Sequence, residues 1–322
     1  MLCLKHTILS LGDPMTMIKR AYQPADLLRV GNFLMQHYLP HSRDGNWLQP
    51  AWDYMHSHPW LDEDSLDRIA VWEEDGEMVG VAHYESRLGE AFFEVHPRHT
   101  HLKAEMLCHA EEHFVGTSED GLPYLNVYIN DFDADFEAMA QERGYRLSES
   151  YHRPLAEMRI PEPFPAIDLP EGFLLQSLAD ENDLQKINRV LHRGFNHPGE
   201  APDEDLPGRV KMQSNPHFRK DLTIVVKAPN GEFATFCGLW YVPQNRYGYV
   251  EPMATDPDYR RMGLGKAALL EGVRRCRDLG AEAVYVGSLQ PFYQALGFEH
   301  VYTSRPWAKP APEPHSQEKS DA

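Results

Sequence analysis

The chain has 322 residues, 42% hydrophobic and 25% charged, which is typical of a packed globular protein and long enough for two domain cores. Its formal net charge of −18 would repel phosphate backbones, so nucleic acid is not an expected partner. The four cysteines lack the Cys-x-x-Cys spacing of metal and redox sites, so we expect reduced thiols and no metal.

The two ends of the chain are interpreted as lying outside the folded domains. Residues 1–14 precede the first patterned segment and form a predicted N-terminal extension, without the basic start and cleavage site of a signal peptide. Residues 309–322 are proline-rich and polar, and are predicted to be disordered. No apolar run approaches the roughly 20 residues of a membrane helix. We therefore expect a cytoplasmic protein with no membrane partner.

Between these ends, the proline-rich linker 161–170 separates two halves with similar patterns, residues 15–160 and 171–308. Each half begins with a short strand and helices, continues with a hairpin, and then has a strand that leads into a long helix. The predicted strand and helix pairs are 91–95 with 102–114, and 247–255 with 263–279.

Four landmarks recur in the same order in the two halves. The first two are helix starts at residues 24–27 and 181–184, and hairpin turns at Asp75-Gly76 and Asn230-Gly231. The other two are strand ends at His96-Pro97 and Asp256-Pro257, and closing segments at Gly144-Tyr145 and Gly297-Phe298. Their common order indicates a tandem repeat of one domain. Strands and helices do not alternate regularly. The predicted fold class is therefore a mixed α/β (α+β) sheet, mostly antiparallel and flanked by helices, in two copies.

The segment most informative about chemistry is 257–270, PDYRRMGLGKAALL. Glycine lets a backbone approach a ligand closely, and the first N–H groups of a helix lack intrahelical partners at its positive dipole end. A strand that leads through glycines into a helix therefore predicts a pyrophosphate site. Three cations add to the positive charge there: Arg260, Arg261 and Lys266. The chain here lacks Gly-x-Gly-x-x-Gly and Gly-Lys-Ser/Thr, which disfavours a Rossmann or Walker site.

Arg-x-x-Gly-x-Gly between a strand and a helix resembles the acetyl-CoA signature of the GNAT superfamily of N-acetyltransferases. Residues 291–298, PFYQALGF, resemble the Phe-Tyr-x-x-x-Gly-Phe segment that closes such domains. The resemblance implies a tandem-domain acetyltransferase that uses acetyl-CoA and whose catalytic domain is 171–308. It also implies that the pantetheine arm and pyrophosphate contact ten residues: Met253, Ala254, Thr255, Arg260, Arg261, Met262, Gly263, Leu264, Gly265 and Lys266.

Two side chains are candidates for the proton transfers. The resemblance places a general acid at Tyr293, where a phenol would protonate the leaving thiolate; a core aromatic is the alternative. Glu251 is the candidate base, with a solvated residue or substrate anchor as the alternative. It lies two residues before Met253, so we expect both on one strand face, with the Met253 N–H facing the thioester carbonyl. Pro252 predicts a bulge or splayed edge in this strand.

The N-terminal half has lost the motif. Thr100, Lys103 and Glu105 fall where the other half has Arg260, Gly263 and Gly265, and Ala140 falls at Tyr293. We therefore expect this half to keep the fold, pack against the catalytic half and shape the acceptor pocket. Two metal-like motifs in it, at residues 109–113 and 131–135, are interpreted as decoys, since the first lies on a solvated helix face and Phe136 takes the glycine position of a calcium loop.

The predicted reaction is transfer of an acetyl group from acetyl-CoA to a primary amine by direct attack in a ternary complex. The fold does not identify the acceptor. The acidic composition favours a cationic small molecule such as a polyamine, an aminosugar antibiotic or an amino-acid derivative, and the acidic loop 200–205 lies where it could approach. Protein amines remain open, and a non-catalytic acyl-CoA sensor or regulatory protein is the alternative function. The expected assembly is a monomer or homodimer.

Overall fold

The computed structural model describes residues 16–309. The predicted extension 1–14 and the predicted tail after Lys309 lie outside the described residues. Within 16–309, no helix combines the length and apolar character that crossing a membrane requires.

The strands and helices are defined as follows. The strands are β1 Met17–Ala21, β2 Ala70–Glu74, β3 Glu77–His83, β4 Glu90–Val95, β5 Gly116–Thr117, β6 Pro123–Tyr124, β7 Asn126–Asn130, β8 Arg146–Leu147, β9 Arg153–Arg159, β10 Leu174–Ser177, β11 Thr223–Lys227, β12 Phe233–Val242, β13 Tyr247–Thr255, β14 Ala283–Val286 and β15 Glu299–Ala308. The α-helices are α1 Asp26–His37, α2 Gln49–Ser57, α3 Lys103–His113, α4 Ala134–Glu142, α5 Leu184–Gly194, α6 Leu206–Gln213, α7 Leu264–Asp278 and α8 Pro291–Gln294.

One mixed sheet runs through the described part of the chain. It contains 13 strands in the order β1-β2-β3-β4-β7-β15-β9-β14-β13-β12-β11-β10, with β8 paired to β15. Most neighbours are antiparallel; β4 pairs with β7, and β13 with β14, in parallel. These parallel pairs occupy corresponding places in the two halves, after each hairpin and around the long helices α3 and α7. The predicted mixed α/β sheet flanked by helices is confirmed.

The hairpins form where the sequence indicates them. Asp75 and Gly76 have φ values of 51° and 87°, and the antiparallel β2 and β3 pair on either side of them. Gly231 has φ 88° between the antiparallel β11 and β12. Glycine tolerates a positive φ without the steric penalty of a Cβ, which allows the chain to reverse within a few residues in both hairpins. Each hairpin also contains a register shift, between Trp72 and Glu73 in the first and between Val226 and Lys227 in the second.

The two halves exchange their last strands. β9 ends the first half of the chain, yet it pairs with β14 and β15 of the second half. β15 continues past β9 and pairs with β7 of the first half over Ser304–Trp307. The predicted boundary at 160/161 therefore divides the chain but not the sheet. The division into domains stays a prediction.

A cluster of aromatic side chains fills the seam between the halves. Leu48 and Leu155 from the first half pack with residues of the second half that are each less than a tenth exposed: Trp240, Tyr247, Tyr249, Tyr285 and Tyr302. The Tyr38 and Tyr285 hydroxyls lie 2.8 Å apart across the seam. Burial of large aromatic surfaces contributes strongly to stability, so the halves are held together by a shared core as well as by exchanged strands.

Because β9 belongs to the sheet of the second half, we expect fragment 150–309 to be more stable than fragment 161–309. The shorter fragment would leave the β14 edge unpaired, and unpaired edges promote aggregation. The measurement is the urea midpoint and the soluble fraction of each. Fragment 150–309 carrying Ala156→Pro is the matched control. Proline removes a ladder hydrogen bond, so the urea midpoint of this variant should fall to that of the shorter fragment. Equal midpoints for all three would contradict the role assigned to β9.

Candidate functional site

The site lies where two neighbouring strands, β13 and β14, diverge. β13 and β14 pair in parallel from Tyr247 and Ala283 to Val250 and Val286, where the pairing stops. β14 ends there, while β13 continues to Thr255 with only β12 beside it. The far part of β13 therefore has a free hydrogen-bonding edge next to the gap between the strands.

A bulge in β13 lies at the point of separation. Cys237 pairs with Met253 and Leu239 with Val250, so that Glu251 and Pro252 together stand opposite the single residue Gly238. A Cβ at Gly238 would lie 2.5 Å from the Glu251 carbonyl oxygen, so glycine is required there. The Trp240 indole N–H donates to the same carbonyl at 2.8 Å. The predicted bulge at Pro252 is confirmed.

Beyond the bulge, alternate backbone groups of β13 face the free edge. The Asp256 N–H donates to the Ala234 carbonyl of β12 at 2.9 Å. Because hydrogen-bonded and non-hydrogen-bonded pairs alternate along an antiparallel ladder, Ala254 also bonds to β12, whereas Met253 and Thr255 direct their N–H and C=O groups away from it. This is the orientation that the predicted contacts of Met253 and Thr255 with a pantetheine arm require. The predicted backbone contact of Ala254 with the arm is not compatible with its bonds to β12.

The bulge also reverses which side chains share a face. Val250 and Met253 pack in the core beneath α7, whereas Tyr249 lies in the seam core and Ala254 lies beneath α5. The expectation that Glu251 and Met253 share a strand face is therefore wrong. The extra residue shifts the two-residue alternation by one, so Glu251 faces the seam.

The N-terminus of α7 lies beside the free edge and has no cap. Gly263 occupies the cap position with φ 81° and provides no side-chain hydrogen bond. Within residues 16–309, the N–H groups of 261–266 have no protein acceptor, and the first intrahelical bond runs from the Ala267 N–H to the Gly263 carbonyl. Gly265 packs closely on β13, because a Cβ there would lie 3.3 Å from Met253 Cε and 3.4 Å from Thr255 Oγ1. Free N–H groups and the helix dipole together suit an anion.

A cavity of about 400 Å³ opens at this helix end. Met262, Gly263 and Lys266 line one side of it, and linker residues, including Asp168 and Pro170, line the other. Arg261, Met262 and Lys266 are exposed, and Leu264 is buried in the core beneath α7. The linker is therefore more than a spacer, since it forms a wall of the cavity next to the predicted pyrophosphate site.

Arg260 differs from the other predicted cofactor residues, because its guanidinium is bonded to protein atoms. It donates to the carbonyls of Thr255 at 3.1 Å and Gly194 at 2.8 Å, and to Asn196 Oδ1 at 2.9 Å. Asp256, whose side chain is fully buried, accepts from Arg193 at 2.7 Å. These bonds fasten the end of α5 to the turn between β13 and α7. The contact of Arg260 with a cofactor stays a prediction.

Tyr293 lies in α8 on the same side of the sheet as α7. Its ring packs against Phe292 and Phe298, with 8% of the residue exposed. Its hydroxyl has no hydrogen-bond partner among the described residues. Burial raises the pKa of Tyr293 above its ordinary value, and the charge of Glu251 raises it further. The phenol is thus neutral at working pH and free to donate a hydrogen bond, although the ring is also part of the core.

Glu251 faces a cavity of about 150 Å³ between the two halves. The second half contributes Glu251 and Gly287, which follows the end of β14, and the first half contributes Glu85 and Arg153. Six aromatic side chains line it: Trp47, Tyr54, Phe92, Tyr151, Tyr249 and Tyr302. Burial, followed by the charge on Glu85, raises the pKa of Glu251 to about 7. A carboxyl group with this pKa is suited to general-base chemistry near neutral pH.

Sequence reasoning missed the contribution of Glu85 and Arg153. Neither lies in a motif, and Arg153 reaches the cavity because β9 enters the sheet of the second half. The expectation that the acidic loop 200–205 approaches the acceptor has no support, since none of its residues lines this cavity. A larger cavity of about 680 Å³ meets it at Tyr302 but contains none of the predicted site residues.

In the N-terminal half, the side chains at the altered and metal-like positions bond to other residues of the same half. Glu105, which replaces a motif glycine, accepts from the Trp72 indole at 3.0 Å. His109 bonds to the Arg68 carbonyl at 2.7 Å, and burial lowers its pKa to about 4. Asp133 caps α4 by accepting from the Phe136 N–H. Within the described range, no group of three His, Cys, Asp or Glu side chains is placed to hold a metal.

Comparisons with known proteins agree with this geometry. Residues 184–298 match the model of the acetyltransferase (GNAT) family. The chain is 29% identical over 258 residues to a mycothiol acetyltransferase of Saccharomonospora viridis, covering 72% of this chain and 80% of the relative. It is 30% identical over 131 residues to a glucosamine 6-phosphate N-acetyltransferase of Trypanosoma brucei brucei, covering 37% of this chain and 84% of the relative.

Solved structures share the whole architecture. A GCN5-related N-acetyltransferase from Sphaerobacter thermophilus has a TM-score of 0.61 at 17% identity, over 92% of this chain and 97% of the other. A tandem GNAT protein from the clavulanic acid biosynthesis pathway has a TM-score of 0.61 at 15% identity, over 92% and 100%. These likenesses concern the fold, whereas the family match and the relatives concern the sequence as well. The chain belongs to the GNAT acetyltransferase family, and it is an acyltransferase with a tandem architecture.

Proposed function

We propose that this protein transfers the acetyl group of acetyl-CoA to a primary amine of a small molecule, in a ternary complex with both substrates bound. The observation that carries the proposal is the free edge of β13 beside the uncapped N-terminus of α7. Such an edge suits an extended amide-bearing arm, and such a helix end suits a pyrophosphate. The amine would enter from the opposite face, through the cavity at the seam.

The donor would be held by backbone more than by side chains. The N–H groups of 261–266 would bind the pyrophosphate, with Arg261 and Lys266 adding positive charge. Met253 and Thr255 would pair with the pantetheine arm through their outward N–H and C=O groups. Arg260 would keep this frame in place by bonding the ends of α5 and β13. Of the ten predicted cofactor residues, Arg260 would have this positioning role, and Ala254 would pair with β12 and not with the arm.

Three groups would act on the reacting atoms. Glu251 would remove a proton from the amine, directly or through a water, so that the nitrogen can attack the thioester carbonyl. The Met253 N–H would stabilise the oxyanion that forms as the new C–N bond is made. When the C–S bond breaks, Tyr293 would give its proton to the thiolate. The nitrogen would then lose its second proton, which restores the phenol through solvent, and Glu251 would release its proton to solvent. The products are the acetamide and free CoA, with no covalent enzyme intermediate.

The cofactor site can be tested with Gly263→Glu, using Gly76→Glu as its matched control. Both glycines have a positive φ, 81° and 87°, and open space at the Cβ position, so the two changes carry equal backbone strain and equal charge. Only the first places a carboxylate at the helix end. Calorimetry should give one acetyl-CoA site per chain in the wild type and the control, and at least about a tenfold weaker Kd for Gly263→Glu. Unchanged binding in Gly263→Glu would move the cofactor site elsewhere.

The role of Tyr293 can be tested by removing its hydroxyl. For Tyr293→Phe we expect kcat to fall by about 10²-fold or more, because the thiolate would leave unprotonated, while acetyl-CoA binds normally. Tyr241→Phe is the control, since that hydroxyl bonds to the Leu279 carbonyl at 2.7 Å away from the site. If Tyr293→Phe turns over like the control, Tyr293 is a core aromatic and not the acid.

The role of Glu251 predicts a pH dependence. A base acts when ionised, and the pKa of Glu251 lies near 7, above its ordinary value. Activity should therefore be lost as the pH falls through about 7. The pH profile of kcat at saturating amine should show this limb in the wild type and in Glu299→Gln, an exposed acid outside the cavity. Glu251→Gln should lower kcat about 10²-fold and remove the limb; a persisting limb would assign the base to another group.

A further inference from the structure

The cavity at the seam carries its charges in an unusual arrangement. The charged side chains that line it are Glu251 from the second half and Glu85 and Arg153 from the first. Arg153 is paired with Glu85, and its Nη2 also lies 3.4 Å from Glu90 Oε1. Two carboxylates thus share one guanidinium before any acceptor binds. The cavity keeps an excess of negative charge even with Arg153 fully ionised.

Arg153 is fixed in this arrangement by aromatic packing. Its guanidinium carbon lies 5.1 Å from the centre of the Phe92 ring and 5.0 Å from that of Tyr128. These two rings are themselves stacked, 4.6 Å apart at 10°. Cation–π contacts and two ion pairs hold the guanidinium against this wall. It is therefore poorly placed to turn away from Glu85 and receive a carboxylate or phosphate of an acceptor.

The remaining wall suits an organic cation. Aromatic faces attract alkylammonium groups, and six aromatic side chains line the cavity around its carboxylates. Its volume of about 150 Å³ limits the part of the acceptor that enters to a short chain. An ammonium group entering this space would find two carboxylates and aromatic faces, whereas an acidic group would find repulsion from both carboxylates.

We propose that the acceptor is a short diamine, whose reacting nitrogen faces Glu251 and whose second ammonium group pairs with Glu85. This inference rests on the proposed acetyltransferase function and names its substrate class. Glu85 is then a specificity-determining residue supplied by the half that has lost the cofactor motif. It also acts on the base, because its negative charge opposes ionisation of Glu251. The other groups whose charges or hydrogen bonds act on Glu251 or feel its charge are Arg153, Tyr249, Tyr54 and Tyr293.

The test uses three amines with the same four-carbon chain: putrescine, 4-aminobutanol and γ-aminobutyrate. They differ only in the second group, which is cationic, neutral or anionic. With wild-type protein and acetyl-CoA, we expect kcat/KM to be at least about tenfold higher for putrescine than for 4-aminobutanol, and lowest for γ-aminobutyrate. Glu85→Gln should reduce kcat/KM for putrescine about tenfold while changing that for 4-aminobutanol less than about twofold.

A second readout separates this role from a structural one. Removing the charge of Glu85 should favour ionisation of Glu251, so the acidic limb of the kcat profile should move to lower pH by about one unit. Glu85→Asp keeps the charge and should retain most of the preference for putrescine. Glu204→Gln removes an equal charge from an exposed position outside the cavity and should change neither readout.

The outcomes separate the two levels of the proposal. Three results would overturn the diamine inference alone. The first is acetyl-CoA binding without acetylation of putrescine, and the second is an equal kcat/KM for the three amines. The third is a Glu85→Gln protein that keeps the wild-type preference and pH profile. Failure of the wild type to bind acetyl-CoA would overturn the acetyltransferase function with it. The predicted order of amines, lost in Glu85→Gln and kept in Glu204→Gln, would support both.

Discussion

β13 places two residues, Glu251 and Pro252, opposite the single residue Gly238. This bulge shifts the alternation of side chains along the strand by one residue, so that the side chains after it point to the opposite faces. Before the bulge, Tyr249 and Glu251 face the seam; after it, Met253 turns toward α7 while its backbone N–H faces the free edge. One strand can therefore present a carboxylate to one substrate and an amide to the other. A regular strand would put Glu251 and Met253 side by side, and the base would lie on the donor's side of the sheet.

The rest of the site is arranged to keep that bulge and its surroundings rigid. Trp240 holds the bulged carbonyl, and Gly265 allows α7 to lie directly on the end of β13. Arg260 and Asp256 fasten the turn between β13 and α7 to α5. Such fixed geometry matters because hydrogen-bond donors contribute most to catalysis when they need no rearrangement during the reaction. The buried carboxylate of Asp256 is paired with both Arg189 and Arg193, whose side chains are partly exposed.

The exchange of last strands explains how a half without the cofactor motif can still serve the site. β9 carries Arg153 into the sheet beside β14, and the loop after β3 brings Glu85 to the same cavity. The seam core of tyrosines and Trp240 prevents the halves from moving independently. The first half thereby forms one wall of the cavity that Glu251 faces, while Glu105, at the position of a motif glycine, accepts a hydrogen bond from Trp72 within its own half.

The sequence alone determined what depends on short stretches of chain. Asp-Gly and Asn-Gly indicate hairpin turns, and a proline in a strand indicates a bulge, so the tandem mixed fold and the bulge at Pro252 could be predicted from short stretches. The same kind of local pattern named the start of α7, Tyr293 and Glu251 as candidates, whose roles are proposals. What depends on distant partners could not be predicted. The bulge opposite Gly238 sets the face to which Glu251 points, and the nearness of α5 sets the bonds of Arg260. Strand exchange brings Arg153 to the cavity, where it pairs with Glu85 from the loop after β3. Each of these is a packing relation between residues far apart in sequence, and none leaves a local pattern.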